Sequence, residues 1–320
     1  MEPERIVTQV LREEDLEYDA SLRPTQFRDF VGQDKIKENL AIYIEAARKR
    51  KEPLDHVLLF GPPGLGKTTL AHLIGKEMNA NIRITSGPVL ERPGDLAGIL
   101  TNMQEGDVLF IDEIHRLSHI VEEYLYPAME DFILDIMLDK GPNARSVRIN
   151  LPRFTLIGAT TRSGLLTSPL RSRFGAMLRL DYYSAQEIER IILRSADILG
   201  VKIELEAVLR LALASRFTPR VANRLLRRAR DYAEVHGNGA IEKKTVLDVL
   251  SLLEIDEVGL ERIDRELLAA IVKKFGGGPV GLAALGAVLN EEADVIESVY
   301  EPYLMSLGFL NRTRMGRVIT

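Results

Sequence analysis

The segment Gly61–Thr68 reads GPPGLGKT and is the most informative part of this 320-residue sequence. It matches the phosphate-loop pattern G-x-x-x-x-G-K-[ST] in full, directly after the apolar run His56–Phe60 and directly before a predicted helix. Glycines let the backbone wrap a phosphate with its N–H groups, while Lys67 brings a positive charge and Thr68 a hydroxyl ligand for Mg²⁺. This setting favours a nucleotide site over a glycine-rich turn that happens to contain lysine.

Two adjacent carboxylates follow another predicted buried strand. Asp112 and Glu113 come directly after the apolar run Val108–Ile111. The carboxyl ends of neighbouring parallel strands meet at one edge of a sheet, so both acids are expected beside the phosphate loop. We expect Asp112 to hold Mg²⁺, directly or through water, and Glu113 to orient and polarise the attacking water. The alternative is that the two acids cap a helix N-terminus. His115 is interpreted as a core or supporting residue.

Hydroxyl and guanidinium groups supply the remaining candidates. The predicted strand Phe154–Gly158 runs into Thr160 and Thr161. Thr161 is the first choice to position the hydrolytic water and Thr160 the second, unless these are plain strand-end residues. Arg171 and Arg173 are candidates to stabilise the transition state, because the planar guanidinium pairs bidentately with phosphate oxygens. Whether such an arginine acts within its own chain or on a neighbour stays open at this point.

The order of predicted elements indicates an α/β domain followed by two further sections. From His56 to Tyr183, short buried strands alternate with helices, as in a parallel sheet covered on both faces. The predicted strands are His56–Phe60, Asn81–Thr85, Val108–Ile111 and Phe154–Gly158, and four helices follow at Ser184–Gly200, Glu204–Arg216, Arg220–His236 and Lys243–Leu253. A third section opens near Asp256 and closes on a strand-turn-strand within Gly308–Thr320.

Composition excludes several classes of protein. The chain is 46% hydrophobic and 28% charged, as in soluble globular proteins, and its apolar runs are far shorter than the ~20 residues of a membrane span. Cysteine is absent, which excludes disulfides, cysteine-ligated zinc and thiol nucleophiles and favours the cytoplasm. The net charge of -5 means that nucleic acid would have to contact local basic patches.

Taken together, these motifs resemble the AAA+ ATPases, and within them the RuvB family of bacterial Holliday-junction branch-migration motors. The phosphate loop alone is shared with many AAA+ proteins, but its combination with Asp112–Leu117 (DEIHRL), Gly158–Arg162 (GATTR) and Gly276–Leu282 (GGGPVGL) is far more specific. The similarity runs from about Leu22 to Thr320. It implies an AAA+ P-loop parallel-sheet domain at 1–183 with a β-hairpin insertion at about 134–151, a small helical lid domain at 184–255 and a C-terminal winged-helix head domain at 256–320.

The resemblance also implies roles for particular residues. Nucleotide contacts fall on Leu22, Arg23, Gly61, Gly64, Gly66, Lys67, Thr68, Thr69, Glu130, Asp131, Phe132 and Tyr183, and Mg²⁺ ligands on Thr68 and Asp112. Arg173 matches an arginine finger that acts on ATP held by the adjacent subunit of a homohexameric ring, and Arg220 matches the sensor-2 arginine.

Partners follow from the same resemblance. Val147 and Ile149 share a face of the hairpin, whose expected turn is Gly141–Asn143, and would dock a RuvA-like junction-recognition protein. Arg312 and Arg317 would contact double-stranded DNA or a Holliday junction from the wing of the head, and a RuvC-like resolvase is a further implied partner. No membrane association is expected.

The sequence departs from the family pattern in three places. Phe217 stands where the family has glycine ahead of Thr218-Pro219-Arg220, which bears on how the backbone presents Arg220. The wing reads RTRMGR where RTPRGR is usual. The family normally continues beyond the position of Thr320, which leaves open whether the sequence is partial.

The leading interpretation is a motor in which a ring of subunits hydrolyses ATP to move duplex DNA during recombination and repair. A clamp-loader-type ATPase is the alternative, although bacterial loaders commonly carry a cysteine-ligated zinc module. A protein unfoldase would not need a winged helix. A nucleotide-binding scaffold without turnover is disfavoured because Lys67, Glu113 and Arg173 are present.

Overall fold

The computed structural model describes residues 21–137 and 146–320, which form two compact units. The first, here called the sheet unit, comprises Pro24–Pro62 and Gly66–Asp181. The second, here called the helical unit, comprises Tyr182–Thr320, the described residues 21–23 and the short segment Pro63–Leu65. Three residues in the middle of the phosphate loop therefore belong with the helical unit.

The sheet unit is built on five parallel strands. Its strands are β1 (Val57–Phe60), β2 (Ile82–Ser86), β3 (Val108–Asp112), β4 (Ile133–Met137), β5 (Ser146–Asn150), β6 (Thr155–Thr160) and β7 (Ala176–Arg179). The parallel sheet has the order β2-β3-β6-β1-β7, whereas β4 and β5 form a separate antiparallel pair. β1, β3 and β6 consist almost wholly of buried residues, as expected for strands covered on both faces. The predicted parallel sheet and its four predicted strands are confirmed.

The fifth strand, β7, was not predicted from the sequence. It pairs with β1 at the edge of the sheet, and only Ala176 and Leu178 of its four residues are buried. A short edge strand with Met177 and Arg179 exposed lacks the continuous apolar run that identifies central strands.

Five helices flank the strands of the sheet unit. They are α1 (Asp34–Arg50), α2 (Lys67–Glu77), α3 (Pro93–Leu100), α4 (His119–Glu130) and α5 (Ser168–Ser172). The apolar positions of α1 recur at helical spacing and are buried at Ile36, Leu40, Ile44 and Ala47, as the sequence predicts. In the hairpin, Leu134 of β4 pairs with Ile149 of β5 and is buried in the unit's core. The expected turn at Gly141–Asn143 lies outside the described residues.

The helical unit begins with the four predicted helices and ends in a small antiparallel ribbon. Its helices are α6 (Ala185–Ile198), α7 (Leu205–Ala214), α8 (Pro219–His236), α9 (Lys243–Leu252), α10 (Arg262–Phe275), α11 (Leu282–Leu289), α12 (Ala293–Val295) and α13 (Glu301–Ser306), with a π-helical turn at Ile296–Tyr300 between the last two. The ribbon pairs β8 (Leu310–Thr313) with β9 (Gly316–Ile319). None of the helices in the described part of the chain has both the length and the apolar character that a membrane span requires.

Candidate functional site

The phosphate loop leaves the carboxyl end of β1 and enters the first turn of α2. Gly61 has a φ of +144°, and a Cβ there would collide with the carbonyl oxygen of Leu180, so the position requires glycine. Gly66 has a φ of +95° and directly precedes Lys67, the first residue of α2. The first-turn N–H groups of a helix lack intrahelical partners and attract anions, so this geometry suits a phosphate.

Lys67 folds back over the loop that it follows. Its side chain is held against the loop because the ammonium donates hydrogen bonds to the carbonyl oxygens of Gly61 and Pro62, both at 2.8 Å. The residue is only 7% exposed, although its charge lies close enough to Glu113 to affect that carboxylate. Thr68 and Thr69 follow in the same turn and are partly buried.

The two predicted acids lie at the carboxyl end of β3. Asp112 accepts a hydrogen bond from the backbone N–H of Glu113 at 2.9 Å, and Glu113 itself has a left-handed backbone with a φ of +46°. Burial raises the pKa of Glu113, the negative charge of Asp112 raises it further, and the opposing effect of Lys67 does not cancel these two. A raised pKa makes Glu113 a better proton acceptor than an exposed glutamate.

Both candidate threonines lie at the carboxyl end of β6, beside these acids. Thr161 donates a hydrogen bond from Oγ1 to Oε2 of Glu113 at 3.4 Å, which fits its predicted place near the attacking water. Thr160 is fully buried, and its backbone carbonyl oxygen accepts a hydrogen bond from the Gly61 N–H at 3.2 Å. The ends of β1, β3 and β6 thus bring Lys67, Glu113 and Thr161 to one edge of the sheet.

The sequence predicts His115 to be a core or supporting residue, and the structure places it at the same strand ends. Its Nδ1 lies 2.9 Å from Oγ1 of Thr160 and 3.2 Å from Oε2 of Glu113. The signal available in the sequence was its position two residues after Glu113, within reach of that carboxylate if the chain turns tightly.

Glu130, Asp131 and Phe132 lie at the opposite edge of the sheet. The Phe132 ring packs against His56 and Phe154, with ring centroids 6.3 and 5.8 Å away. His56 precedes β1 and Phe154 precedes β6, so this contact marks the amino edge of the strands. The phosphate loop of the same chain leaves the carboxyl edge, about 10 Å away along β1.

Arg173 is anchored in this second region. Its guanidinium donates to the Glu130 carboxylate at 2.9 Å and to the Pro169 carbonyl oxygen at 2.7 Å, and it lies 4.5 Å from the centroid of the Tyr126 ring. Arg171 instead donates to the carbonyl oxygen of Ser163 at 2.7 Å and braces the local turn. Arg173 is therefore grouped with Glu130 and not with its own phosphate loop.

The remaining predicted nucleotide residues lie in the helical unit. The Tyr183 hydroxyl donates to the carbonyl oxygen of Leu65 at 3.1 Å, and the Arg220 backbone N–H donates to that of Gly64 at 3.4 Å. Leu22 is buried and its carbonyl oxygen accepts a hydrogen bond from Arg194 at 2.8 Å, while Arg23 is partly buried. Tyr183 and Arg220 thus contact the loop residues that belong to their own unit.

Phe217 occupies a backbone conformation that favours glycine. Its φ is +54° and that of Arg216 is +55°, so two consecutive bulky residues are left-handed just before Thr218-Pro219-Arg220. The Phe217 ring lies 6.4 Å from that of Tyr303, and the Arg216 guanidinium pairs with the buried carboxylate of Asp264. These contacts to the C-terminal section hold the strained turn in place.

The hairpin residues predicted to dock a partner differ in burial. Val147 is 42% exposed, whereas Ile149 is partly buried and packs against the core of the sheet unit. Both lie on β5 at a two-residue spacing and so share a face of the strand. Only Val147 offers a substantial exposed apolar surface.

The structure brings the predicted wing arginines together on acidic partners. Arg312 and Arg317 pair across the β8–β9 ribbon, and both contact Glu301, which is fully buried. Arg312 lies 2.7 Å from Glu301 and 3.1 Å from Glu297, while Arg317 lies 2.5 Å from Glu301 and 3.5 Å from Glu297. The Arg312 side chain is 43% exposed and that of Arg317 only 11%.

The residues at the phosphate loop fit a nucleotide with Mg²⁺. The loop provides positive-φ glycines, a helix N-terminus and the buried ammonium of Lys67, which together suit phosphate oxygens. Thr68 and Asp112 provide hard oxygen donors, and Mg²⁺ at such sites is held by one or two protein ligands together with phosphates and water.

Comparison with known proteins accounts for the whole described architecture. Residues 22–180 match the model of the Holliday junction DNA helicase RuvB P-loop domain, residues 183–256 the RuvB AAA lid domain, and residues 257–320 the RuvB C-terminal winged helix domain. The structure of the Thermotoga maritima RuvB Holliday junction branch migration motor is similar, with 51% sequence identity and a TM-score of 0.86 over 94% of this chain and 96% of that one. A mutant of the same protein is 52% identical, with a TM-score of 0.87 over 93% and 95% of the two chains.

These matches confirm the predicted fold class of a P-loop domain followed by a helical lid and a winged helix. The phosphate loop, the acids at the end of β3 and the C-terminal ribbon each lie within the matched domain of the corresponding kind. The chain therefore belongs to the RuvB family of Holliday junction DNA helicases and is an ATP-dependent motor of branch migration.

Proposed function

We propose that the chain hydrolyses Mg²⁺–ATP at its phosphate loop as one subunit of a homohexameric ring on duplex DNA. The observation that carries this proposal is the convergence of Lys67, Glu113 and Thr161 at the carboxyl ends of three neighbouring strands. A phosphate anchor, a proton acceptor and a water-positioning hydroxyl are the groups that hydrolysis of a phosphoanhydride needs.

The loop and the start of α2 hold the phosphates. The N–H groups between Gly61 and Thr69 cradle the phosphate oxygens, and the ammonium of Lys67 exchanges its carbonyl partners for those oxygens. Thr68 and Asp112 hold Mg²⁺, which when bound neutralises negative charge on the phosphates. The family resemblance implies nucleotide contacts for Leu22, Arg23, Tyr183 and Arg220 as well.

Glu113 acts as the general base. Its carboxylate accepts a proton from the attacking water as the water oxygen bonds to the terminal phosphorus and the bond from that phosphorus to the bridging oxygen of ADP breaks. The Thr161 hydroxyl helps to fix the carboxylate by donating to Oε2. Burial supports this role because it raises the pKa of Glu113 and so strengthens the base.

Arg173 acts on the nucleotide of an adjacent subunit. Its contacts with Glu130 and Pro169, together with the amino-edge location of Phe132, support a position remote from its own phosphate loop. Glu130, Asp131 and Phe132 lie in the same region, so we assign their nucleotide contacts to the neighbour's site as well. Activity is then a property of the assembled ring.

Two surfaces take part in branch migration. The wing contacts the backbone of double-stranded DNA through Arg312 and Arg317, and the hairpin docks a RuvA-like junction-recognition protein through Val147 and Ile149. A RuvC-like resolvase joins the same assembly. The cytoplasmic location predicted from the absence of cysteine stays a prediction.

The hairpin assignment is tested by Val147→Asp, because Val147 is exposed and Ile149 also packs against the core. We expect loss of binding to the RuvA-like partner and of partner-stimulated branch migration, with the melting temperature nearly unchanged. Ile42→Asp, at an exposed apolar position on α1, is the matched surface control. Full partner binding by Val147→Asp would remove this residue from the docking surface.

The whole proposal is tested by electron-microscopic particle images of the chain with duplex DNA, a non-hydrolysable ATP analogue and the partner. Six-membered rings that encircle duplex are the expected result. Particles that load a second protein onto DNA and do not encircle it would instead favour a clamp-loader-type activity.

A further inference from the structure

We propose that His115 is a positioning residue that holds the carboxylate of Glu113 in its working orientation and joins it to the end of β6. The inference rests on the general-base role proposed for Glu113. Three contacts carry it: His115 Nδ1 to Glu113 Oε2 at 3.2 Å, His115 Nδ1 to Thr160 Oγ1 at 2.9 Å, and Thr161 Oγ1 to Glu113 Oε2 at 3.4 Å.

The backbone around Glu113 is fixed by close packing. Glu113 is left-handed, its carbonyl oxygen accepts the Arg116 N–H at 2.9 Å, and a Cβ on Gly87 would collide with that same oxygen. Ile114 is buried in the core of the sheet unit and anchors the turn that carries His115. A left-handed non-glycine residue is strained and persists where the surrounding structure enforces it. The side chain of Glu113 still has rotatable bonds, which this packing does not fix.

The donors around Glu113 gather on one of its oxygens. Thr160 Oγ1 accepts the Arg162 N–H at 2.9 Å, and an ionised Glu113 can only accept. Because Nδ1 lies within reach of both Thr160 Oγ1 and Glu113 Oε2, the positioning role requires the tautomer in which Nδ1 carries the proton. Thr161 donates to Oε2 at 3.4 Å, and in that tautomer the protonated Nδ1 of His115 lies 3.2 Å from the same oxygen. In the proposed mechanism the other carboxylate oxygen, Oε1, accepts the proton of the attacking water.

The burial of His115 fits such a role. Its side chain is only 8% exposed, and a buried imidazole N–H without a hydrogen-bond partner would destabilise the fold. His119, four residues later, is 88% exposed and pairs with Glu122, at the start of α4. The two histidines share a segment but only His115 reaches the strand ends, which makes His119 a matched control.

The first experiment compares His115→Asn, His115→Leu, Glu113→Gln and the control His119→Leu in the full chain with DNA and the partner. Asparagine keeps an N–H near the place of Nδ1, whereas leucine keeps volume and lacks the donor. We expect kcat to fall about 10²-fold in His115→Leu, as for misplaced reacting groups, with KM and the affinity for a fluorescent ATP analogue unchanged. His115→Asn retains most of the turnover, and His119→Leu retains wild-type turnover.

The outcomes distinguish the positioning role of His115 from the general-base role of Glu113. Normal turnover in Glu113→Gln would remove the general-base role itself. Loss of turnover in Glu113→Gln together with normal kcat in His115→Leu would overturn only the positioning role. Equal losses in His115→Asn and His115→Leu, accompanied by lower melting temperatures, would also overturn it, since a residue needed only for packing behaves in that way.

A second experiment does not depend on turnover. Nuclear magnetic resonance of nucleotide-free protein with ¹⁵N-labelled histidine reports which imidazole nitrogen carries a proton, and the chain has only five histidines to assign. A protonated Nδ1 on His115, shifted in Glu113→Gln but not in Glu122→Gln, is expected. An unprotonated Nδ1 at neutral pH would overturn the inference, because that nitrogen then has nothing to donate.

Discussion

The phosphate loop and the wing both carry positively charged side chains, but the groups that contact those side chains differ. The ammonium of Lys67 donates hydrogen bonds to two backbone carbonyl oxygens, which are neutral. Arg312 and Arg317 instead face the carboxylates of Glu297 and Glu301, at 2.5–3.5 Å. A phosphate that takes the place of these two carbonyl oxygens at Lys67 displaces dipoles, whereas one that approaches Arg312 or Arg317 competes with full negative charges.

This difference indicates what each region is built for. Carbonyl partners hold the lysine in place at little electrostatic cost to an incoming anion, so the loop suits tight binding of one ligand. Carboxylate partners fix the shape of the wing and weaken its attraction for phosphate, so the wing suits a contact that is repeatedly made and released. Arg173 has one partner of each kind, because its guanidinium donates to the carboxylate of Glu130 and to the backbone carbonyl oxygen of Pro169.

Arg173 gives the largest expected effect. Arg173→Ala should lower the rate of ATP hydrolysis by about 10³–10⁵-fold, as removal of an arginine finger does elsewhere. Because the finger is proposed to act on a neighbour, mixing Arg173→Ala chains with Lys67→Ala chains should restore part of the hydrolysis. The measurement is steady-state ATP turnover across mixing ratios, with mixed rings verified by mass. Absence of recovery in verified mixed rings would mean that Arg173 acts within its own chain.

Glu113 gives the next largest effect. Glu113→Gln should lower kcat by about 10²–10⁴-fold while nucleotide binding persists, because the amide cannot accept the proton of water. In the wild type, only the carboxylate form is a base, so hydrolysis should decline as the pH falls through the pKa of Glu113. Since burial raises that pKa above 4.5, the decline should begin at a higher pH than for an exposed glutamate. Turnover measured against pH, with binding of an ATP analogue as the control, checks both statements.

Much of the nucleotide site could be predicted from the sequence, because its residues follow apolar strands at fixed offsets. Lys67, Asp112, Glu113 and Thr161 each sit at a strand end or helix start, so local pattern determines where they meet. The sequence indicated that His115 is a core or supporting residue but not that it contacts Thr160, because that contact spans 45 residues and depends on β3 lying beside β6. The carboxylate partners of the wing arginines were missed for the same reason, since Glu301 precedes Arg317 by 16 residues on a different element.

Removing an arginine from the wing cluster of Arg312, Arg317, Glu297 and Glu301 should lower the stability of the head. Arg317→Ala leaves the fully buried Glu301 with Arg312 as its remaining arginine partner, and we expect a loss of about 3 kcal/mol in the stability of the head. Arg314→Ala, on the same ribbon, is the matched control and should change stability by less than about 0.5 kcal/mol, because it is an exposed surface residue. Hydrogen exchange of the amides in 310–319 measures both. Equal protection in the two variants would show that the carboxylates do not support the wing.

The smallest expected effect separates DNA contact from support within the wing. Arg312 is 43% exposed and can reach a phosphate while it still touches Glu301, so Arg312→Ala should lower the slope of log affinity against log salt by about one, equally for different duplex sequences. ATP hydrolysis without DNA should stay at the wild-type level, because the variant leaves the nucleotide site intact. Arg314 is exposed in the turn beside Met315, and no ion pair to it is found among residues 21–137 and 146–320. No carboxylate in that part of the chain therefore competes with a DNA phosphate for its guanidinium. An unchanged slope in Arg312→Ala together with a lower slope in Arg314→Ala would therefore move the DNA contact to the tip of the ribbon. The carboxylate cluster would then serve only to hold that tip in place.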